Sequence, residues 1–382
     1  MRAHFHAQPS SSIGAAGTAT VPSDRRRGVR PKRLAFLAWR DLAHPQAGGS
    51  EILIDRLATG AAARGHDVTL LCGGPVDDRP YRVVDIGGTY SQYLRAPVSY
   101  LRHARDADLV IDVENGIPYF SPLWRRGPVV CLVHHVHRDQ WRMRFNRGVA
   151  AAGWWMERAA MPRLYDSFLA VSPSTAIGLQ EIGVPAQRIR VLPEGVDMPD
   201  RPAEPAGDPR FLVLGRLVPH KRVDLVLRAW ERVRPRVGGT LVIIGDGPER
   251  ESLEAQAGPG VEFLGKVSEA QKEHELRQAW LLVHGATHEG WGLVLMEAAA
   301  AGVPALAMDA PGVRDAVMHG RTGVLAETED ELVRQWIELA FHRERRTLLG
   351  HDARVRAARY TWTASVDVFL DLVGELTHTR RQ

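Results

Sequence analysis

Short apolar runs rich in Val, Leu and Ile recur along the chain and alternate with longer segments of helix-like composition. This alternation is typical of βα units, in which a helix follows each buried strand of a parallel sheet. The first half of the sequence offers the runs RLAFLAW, DVTLLCG, DLVIDV, VVCLVHH, SFLAVS and IRVLPEG. The second half offers RFLVLGR, TLVIIGDG, VEFLGK, LLVHGA, PALAMDA and TGVLAE. The pattern therefore predicts an α/β protein with parallel sheets.

The segment DMPDRPAEPAGDP separates the two sets of runs and, being rich in proline and charge, is predicted to be a linker. A chain of 382 residues also exceeds the length at which one hydrophobic core usually stops growing. We expect two facing Rossmann-like, doubly wound domains, with ligands in the cleft beyond the carboxyl ends of their strands. The expected parts are a disordered tail over 1–31, a first domain over 32–200, a second domain over 201–360 and a terminal helix over 361–382 that returns to the first domain.

Composition narrows the classes of partner. A formal net charge of +4 and a pI of about 9.2 suit anionic ligands such as phosphates or lipid headgroups. The basic residues are scattered and no zinc-finger or RRM signature is present, so we expect no nucleic-acid partner. No apolar run reaches the roughly 20 residues that span a bilayer, the first residues lack the apolar block of a secretory signal, and Cys72 and Cys131 are isolated. These features predict a cytoplasmic protein.

The stretch THEGWGLVLMEAAAAG places two acids, Glu289 and Glu297, around a Gly-Trp-Gly turn. They could be surface acids on a helix, whereas a glycosidase dyad is disfavoured because eight positions of a continuous helix rise about 12 Å. Two separated acids are better suited to accept hydrogen bonds from hydroxyls at two ends of one polyhydroxylated ligand. The amides of Gly292 and Leu293 would begin a helix and offer an anion site for a diphosphate.

Two cations are predicted to lie above the first strand of the second domain. Gly215 and Arg216 end that strand in LGRLVPHKRVDLVLRAW, and Lys221 precedes an amphipathic helix. Ordinary surface ion pairs are one explanation of these residues. Their position after a strand favours diphosphate binding, since a departing diphosphate makes the largest electrostatic demand when a nucleotide sugar breaks its anomeric bond.

Two loops of the first domain also carry candidate residues. Gly48 and Gly49 in HPQAGGSE allow backbone amides to approach a ligand closely, although a simple helix entry would use the same sequence. The run VCLVHHVH ends a strand with His134, His135 and His137. With no carboxylate or cysteine ligand close by in the sequence, these histidines are predicted to be core or cleft residues rather than a metal site.

The segment RDQWRMRFNRGVAAAGWWMERAAMPRLYDSF mixes several arginines with Trp141, Trp154 and Trp155. Arg and Trp on helical segments can bind an anionic membrane surface. The alternative is an irregular helical insertion whose aromatic rings pack on their own domain, and we favour this alternative.

Taken together, these motifs resemble the retaining glycosyltransferases of family 4, which have the GT-B fold. The resemblance extends from about Arg33 to Leu376 and rests on an ordered set of motifs: GGSE, VH, VSPST, LPEGVD, GRLVPHKRVD, IIGDGPE, EGWGLVLME and YTWTAS. It implies that Glu289 holds the sugar hydroxyls of a nucleotide-diphosphate sugar and that Glu297 holds its ribose. It also implies that Arg216 and Lys221 bind the diphosphate.

For the acceptor side, the resemblance implies that His134 lies beside the transferred sugar, with His135 as the alternative, and that Gly49 faces the phosphates or the acceptor. The expected reaction transfers a hexose from a GDP- or UDP-sugar, with retention, to a hydroxyl acceptor: a glycolipid, an envelope polysaccharide or a small metabolite. No cofactor is implied besides this co-substrate, and no metal, because the chain has no Asp-x-Asp motif at a strand end. Glu194 in LPEGVD is a departure, since many relatives carry Asn there.

Two rival functions stay open at this point. A nucleotide-sugar epimerase with the same fold would need the same diphosphate site and acids, and it would alter the sugar without an acceptor. A sugar-nucleotide sensor would bind the donor without turnover. For the transferase, a lipid-linked acceptor would place the protein at the inner face of the membrane.

Overall fold

The structure is a computed structural model that describes residues 30–137, 141 and 146–378. The chain from Pro31 onward forms one compact unit. Within it, two sheets are built entirely from parallel strand pairs, and the linker predicted over 197–209 contains neither helix nor strand.

The first sheet has the strand order β3-β2-β1-β4-β5-β6-β7. Its strands are β1 (Arg33–Arg40), β2 (Asp67–Gly73), β3 (Arg82–Asp85), β4 (Leu109–Glu114), β5 (Val129–Val133), β6 (Phe168–Ala170) and β7 (Ile189–Val191). The helices between them are α1 (Gly49–Ala63), α2 (Ser91–His103), α3 (Arg147–Trp155) and α4 (Pro173–Glu181). Helix α3 continues through a π-helical turn, Met156–Ala160, into the short helix Met161–Leu164.

The second sheet has the order β10-β9-β8-β11-β12-β13. Its strands are β8 (Arg210–Leu214), β9 (Thr240–Ile244), β10 (Val261–Gly265), β11 (Leu281–His284), β12 (Ala305–Met308) and β13 (Gly323–Ala326). The helices that follow β8 are α5 (Val223–Val237), α6 (Arg250–Gln256), α7 (Glu269–Gln278), α8 (Leu293–Ala301), α9 (Val313–Ala316), α10 (Glu329–Phe341), α11 (Arg343–Ala357) and α12 (Trp362–His378).

Both faces of each sheet are covered, as the alternation of side chains along a strand requires. In β1, Phe36 belongs to one buried cluster and Leu37 to another on the opposite face. In β8, Leu212 and Phe211 likewise belong to two different buried clusters on opposite faces of the second sheet. These continuous apolar strands are buried from both sides, which explains why they read as unbroken apolar runs.

The terminal helix α12 packs against the first sheet and helix α1. The ring of Phe369 lies 5.7 Å from that of Phe36, and both side chains are fully buried. A Cβ on Gly60 would lie 2.5 Å from Val366, so the absence of a side chain there sets how closely α1 and α12 approach. The last helix therefore completes the core of the first sheet.

The predicted α/β class with two doubly wound parallel sheets is confirmed. Each predicted run contains a strand, but most strands end before the run does, because residues such as His134 and Gly195 already belong to the loops. Strand β3 was not predicted. It is a four-residue edge strand whose two ends are exposed, so it offers only the pair Val83 and Val84 as an apolar signal.

Candidate active site

The predicted site residues follow strands at the carboxyl edges of the two sheets. In each sheet the strand order reverses beside the first strand, at β1 next to β4 and at β8 next to β11. Such switch points open a crevice for ligands. The loop after β1 carries Gly48, the loop after β5 carries His134, the loop after β8 carries Arg216, and the loop after β11 carries Glu289.

The loops of the first sheet face the loops of the second sheet across the cleft between them. A Cβ on Gly290 would lie 2.9 Å from the carbonyl oxygen of His134, which leaves no room for a side chain. A Cβ on Gly48 would lie 3.7 Å from Nε of Arg216, and one on Gly49 would lie 3.8 Å from Leu293. The glycine-rich loop before α1 therefore lies directly opposite the predicted diphosphate residues.

Glu289 is the centre of a charged cluster on the second sheet. Lys221 Nζ donates to Glu289 Oε1, and His284 Nε2 lies 2.7 Å from the same oxygen. Burial by itself would raise the pKa of Glu289, but the charge of Lys221 and the hydrogen bond with His284 hold that pKa well below its usual range. The carboxylate is therefore ionised and fixed in orientation.

Sequence reasoning missed His284. It is the last residue of β11 and is buried, five positions before Glu289. The only signal available was a histidine ending an otherwise apolar predicted strand. Its partner lies beyond a glycine-containing turn, so the contact depends on the path of that turn.

Gly292 ends the turn and begins α8. Its φ of +80° lies in the left-handed region that favours glycine, and its carbonyl accepts from the amides of Leu295 and Met296. The first N–H groups of a helix have no partner within the helix, so the start of α8 has the chemistry to accept an anionic ligand. Behind it, a Cβ on Gly312 would lie 2.1 Å from the carbonyl oxygen of Glu289, so this glycine supports the Glu289 backbone.

Glu297 has a separate partner on the next helix back in the chain. Lys272 Nζ of α7 donates to Glu297 Oε1 at 2.9 Å. Burial raises the pKa of Glu297, and Lys272 opposes that shift. Glu297 lines a cavity of about 660 Å³ between the two sheets. Other residues of this cavity are Leu42, Ile52, Arg56, Asp197, Lys272 and Leu293. The two acids therefore lie in two distinct polar environments, each with its own lysine.

Arg216 differs from Lys221. It is exposed, and within residues 30–137, 141 and 146–378 no carboxylate forms an ion pair with it. The structure thus brings Lys221 to Glu289, and it leaves Arg216 beside Gly48 with its charge available to an anionic ligand.

His134 and Glu194 form a buried pair on the first sheet's side. His134 Nδ1 lies 3.8 Å from Glu194 Oε1, and its Nε2 is buried without a hydrogen-bond partner in the part of the chain that the structure describes. Burial raises the pKa of Glu194, while His134 lowers it and Glu289 adds to the rise. Glu194, which stands where many relatives carry Asn, is thus a buried contact of a predicted site histidine.

His135 and His137 lie side by side, with ring centroids 4.0 Å apart, and His135 is 5.2 Å from His288 of the second sheet's loop. His137 Nδ1 lies 2.9 Å from Glu157 Oε1 and 3.5 Å from Glu114 Oε1. The sequence-based premise that no carboxylate is close to these histidines is therefore wrong. Glu157 comes 20 positions later, on the helical segment after α3, and only the fold brings it back.

Glu114 is fully buried at the end of β4. Burial raises its pKa to about 8, with His137 lowering it and Glu157 raising it, and its Oε1 accepts from the amide of Gly116. Two carboxyl groups and an imidazole therefore share one buried space under the histidine loop.

The Arg/Trp segment lies partly outside the described residues, which omit Arg138, Arg142 and Arg144. Trp141 is buried and its Nε1 donates to Glu157 Oε2 at 3.0 Å. Trp154 packs on the cluster around β5 and β6, whereas Trp155 is 65% exposed. Among the described residues, no helix has both the length and the apolarity needed to cross a bilayer.

Two facing Rossmann-like sheets with a charged loop at each switch point define a protein of the GT-B class. Sequence models described as "Glycosyltransferase Family 4" and "Glycosyl transferases group 1" match residues 47–199 and 197–356. The chain belongs to this glycosyltransferase family.

Curated relatives match parts of the chain. A GDP-mannose-dependent alpha-mannosyltransferase of Mycobacterium tuberculosis is 33% identical over 254 residues, which are 56% of this chain and 63% of the relative. A GDP-mannose-dependent alpha-(1-6)-phosphatidylinositol monomannoside mannosyltransferase of the same species is 32% identical over 197 residues, 44% of this chain and 51% of the relative. The matches thus span between about half and just under two thirds of these relatives.

Solved structures support the fold over a greater length. Sucrose-phosphate synthase of Thermosynechococcus elongatus superposes with a TM-score of 0.79 at 20% identity, over 90% of this chain and 99% of that one. The Anabaena protein HepE, in complex with UDP and glucose, superposes with a TM-score of 0.74 at 18% identity, over 90% of this chain and all of that one. At these identities the likeness shows the shared fold.

Proposed function

We propose that this protein transfers a hexosyl group, with mannose from GDP-mannose as the first candidate, to a hydroxyl acceptor with retention of the anomeric configuration. The observation that carries the proposal is the Lys221–Glu289–His284 cluster beside the start of α8. It combines an ionised hydroxyl acceptor with a cation and an anion-binding helix start, which are the needs of a nucleotide-diphosphate sugar.

Glu289 is proposed to hold the hydroxyls of the donor sugar. Both of its described partners, Lys221 and His284, contact Oε1. Oε2 has no hydrogen-bond donor within the described ranges, so it is open to a sugar hydroxyl. Because the pKa of Glu289 is lowered, this oxygen accepts as part of a carboxylate, which gives a stronger hydrogen bond than a neutral acceptor.

Lys221, Arg216 and the first amides of α8 are proposed to bind the diphosphate. When the anomeric bond breaks, negative charge grows on the leaving diphosphate, and fixed cations and amides stabilise that charge without reorganisation. These groups already supply positive charge at this position, so we propose that no metal is required at the diphosphate. Glu297, which lines the cavity beside Leu293, is proposed to bind the ribose.

The first sheet's loops are proposed to form the acceptor side. The buried Nε2 of His134 lacks a partner among the residues with described positions, and Gly49 lies opposite Leu293. A donor sugar held by Glu289 would therefore meet His134 and the glycine loop. Closure around both substrates would exclude water and suppress hydrolysis of the donor.

GDP-mannose is proposed as the donor because the two mycobacterial relatives are named as GDP-mannose-dependent mannosyltransferases. One of those names also includes a phosphatidylinositol monomannoside, so a lipid-linked acceptor is the first acceptor class to test. UDP-hexoses stand as the second donor class, because HepE was solved with UDP and glucose.

We also propose that an anionic membrane presents this acceptor. Helix α2 exposes Leu94, Val98 and Leu101 at helical spacing, and Arg95 and Arg102 lie on the same helix. Apolar side chains among cations suit the headgroup boundary of an anionic bilayer. Cosedimentation with anionic vesicles tests this point: it should fall for Leu94→Ser with Leu101→Ser, and unchanged cosedimentation would contradict it.

The experiment that tests transfer incubates the full chain with GDP-mannose or UDP-glucose and a panel of lipid and soluble hydroxyl acceptors. The expected result is acceptor-dependent release of the nucleotide and an α-linked product by NMR. Glu289→Ala should lose this activity, and Glu338→Ala, which removes a half-buried acid of α10 that pairs with Arg345, should keep it. A sugar altered without an acceptor would support the epimerase, and donor binding without turnover on any acceptor would support the sensor.

A further inference from the structure

Glu114, His137 and Glu157 form a buried cluster that the proposed transfer reaction does not use. Glu114 ends β4, His137 lies in the loop after β5, and Glu157 lies in the π-helical turn after α3. One ligand atom from each residue lies within 4.8 Å of the other two, and all three residues are buried. Three separate parts of the first domain thus meet at one point.

The spacing of these atoms fits a common metal ion. His137 Nδ1 lies 2.9 Å from Glu157 Oε1 and 3.5 Å from Glu114 Oε1. Two ligand atoms that are each about 2.0–2.1 Å from one tetrahedral zinc ion lie about 3.3 Å apart. The two separations that involve His137 lie on either side of this value, and the two carboxylate oxygens lie within 4.8 Å of each other.

Two further hydrogen-bond donors hold Glu157 in place, one from the backbone of His137 and one from outside the cluster. Its oxygens accept from the backbone amide of His137, at 2.9 and 3.2 Å, and from Nε1 of Trp141. Hydrogen bonds of this kind orient the carboxylates that ligate metals. The π-helical turn that presents Glu157 is also a feature that occurs frequently at functional sites.

Glu114 has one carboxyl oxygen without a described partner. Its Oε2 is buried and has no hydrogen-bond partner among the described residues, while its Oε1 faces His137. Two carboxyl groups buried together are costly unless a positive charge compensates them. No Lys or Arg among the residues with described positions forms an ion pair with either carboxylate. A divalent cation would give Glu114 Oε2 a partner and would compensate the charge of both carboxylates when they ionise.

We propose that Glu114, His137 and Glu157 bind one divalent transition-metal ion, and that Zn²⁺ is the ion they suit best. An imidazole nitrogen with two carboxylate oxygens is a donor set that favours Zn²⁺ over Mg²⁺, which prefers oxygen ligands alone. Three protein donors leave a fourth position for a water molecule. The ion would tie β4, the loop after β5 and the turn after α3 together beneath His134 and His135.

The test measures metal directly and does not depend on donor or acceptor. The full chain is prepared without an affinity tag, loaded with Zn²⁺, desalted and analysed by inductively coupled plasma mass spectrometry. We expect about one Zn²⁺ per chain. Glu157→Gln and Glu114→Gln should each lose most of it, and His351→Gln, an exposed histidine beside Asp352 on α11, should retain it.

A second readout guards against variants that fail to fold. Zn²⁺ should raise the midpoint of thermal unfolding of the wild type by several degrees, because it binds the folded state, and it should not do so for a folded Glu114→Gln protein. Circular dichroism establishes which variants are folded. The proposal is overturned if the wild type retains no Zn²⁺ and shows no such shift, or if all the variants retain as much Zn²⁺ as the wild type.

Discussion

The two sides of the cleft differ in how their charges are compensated. On the second sheet's side, each predicted acid has a lysine, Lys221 for Glu289 and Lys272 for Glu297. On the first sheet's side, the buried carboxylate of Glu194 meets a histidine, His134. A lysine stays charged at neutral pH, whereas the charge of a histidine changes near it.

This difference matches two different tasks. A diphosphate is always anionic at neutral pH, so a permanently cationic wall suits the donor. An acceptor hydroxyl must lose a proton during transfer, so an imidazole nitrogen that can accept a hydrogen bond, such as Nε2 of His134, suits the first sheet's side. We call the loops after β8 and β11 with the start of α8 the donor wall, and the loops after β1 and β5 the acceptor wall. Four predictions, beginning with the largest expected effect, test whether the lysine-paired acids serve the proposed donor and whether the two walls are in contact.

Replacing Glu289 should have the largest effect on transfer. In Glu289→Gln the shape is kept but the charge is lost, so the donor sugar loses an ionic acceptor and Lys221 loses its partner. We expect kcat/KM to fall by about 10²–10³-fold. The matched control, Glu338→Gln at a half-buried acid of α10, should leave steady-state rates unaltered. Wild-type rates for Glu289→Gln would remove Glu289 from the donor site.

Removing Lys221 should reduce the rate more than donor affinity. Lys221→Ala takes away a cation that acts when charge grows on the leaving diphosphate, so kcat should fall about 10–100-fold while KM rises less. Arg345→Ala, which removes an exposed cation of α11, is the control. A rise in KM with unchanged kcat would instead assign Lys221 to ground-state binding.

A methyl group at Gly290 should disturb the contact between the two walls. Its Cβ would lie 2.9 Å from the carbonyl oxygen of His134, so one loop must move. We expect Gly290→Ala to lower kcat/KM roughly tenfold through misplacement and to reduce stability by about 1–3 kcal/mol. Gly207→Ala, in open space in the linker, should change neither quantity. Equal behaviour of the two variants in kinetics and in urea unfolding would show that the walls do not touch in solution.

The smallest expected effect is on how the free energy of unfolding depends on pH in the acid range. The pKa of Glu289 lies below its ordinary value of 4.5, so its stabilising contribution is fully present above about pH 4.5 and is lost as the pH falls below it. The difference in unfolding free energy between wild type and Glu289→Gln should therefore be larger at pH 7 than at pH 4. Urea unfolding at both values measures this, and an equal difference at the two pH values would contradict the ion pair.

The residues proposed to bind the donor were identified from the sequence because most of them lie close together along short motifs. Glu289, Gly292 and Leu293 belong to one turn and helix start, so local rules place them correctly relative to each other. Lys272 was missed because it lies 25 positions before Glu297, on another helix. Whether two helices bring such residues together depends on their packing, and a sequence pattern does not encode that distance.

On the first sheet's side, by contrast, the sequence identified single residues but not the contacts between them. The histidines were identified, but Glu157 and Glu114 were not connected to them, because the contact joins a strand end, a loop and a later helical turn. Glu194 was recognised only as an unusual residue. Its burial against His134 follows from the parallel arrangement of β5, β6 and β7, which brings their carboxyl ends to one edge.

The central claim is that the lysine-compensated wall binds a nucleotide sugar. Isothermal titration calorimetry of GDP-mannose, GDP and UDP-glucose with the wild type and with Glu297→Gln tests it most directly. We predict that one nucleotide binds the wild type at a single site and binds Glu297→Gln at least about tenfold more weakly, since a charge-assisted hydrogen bond to the ribose is lost. Equal affinity of the two proteins for the nucleotide, or no binding by a folded wild type, would contradict the claim.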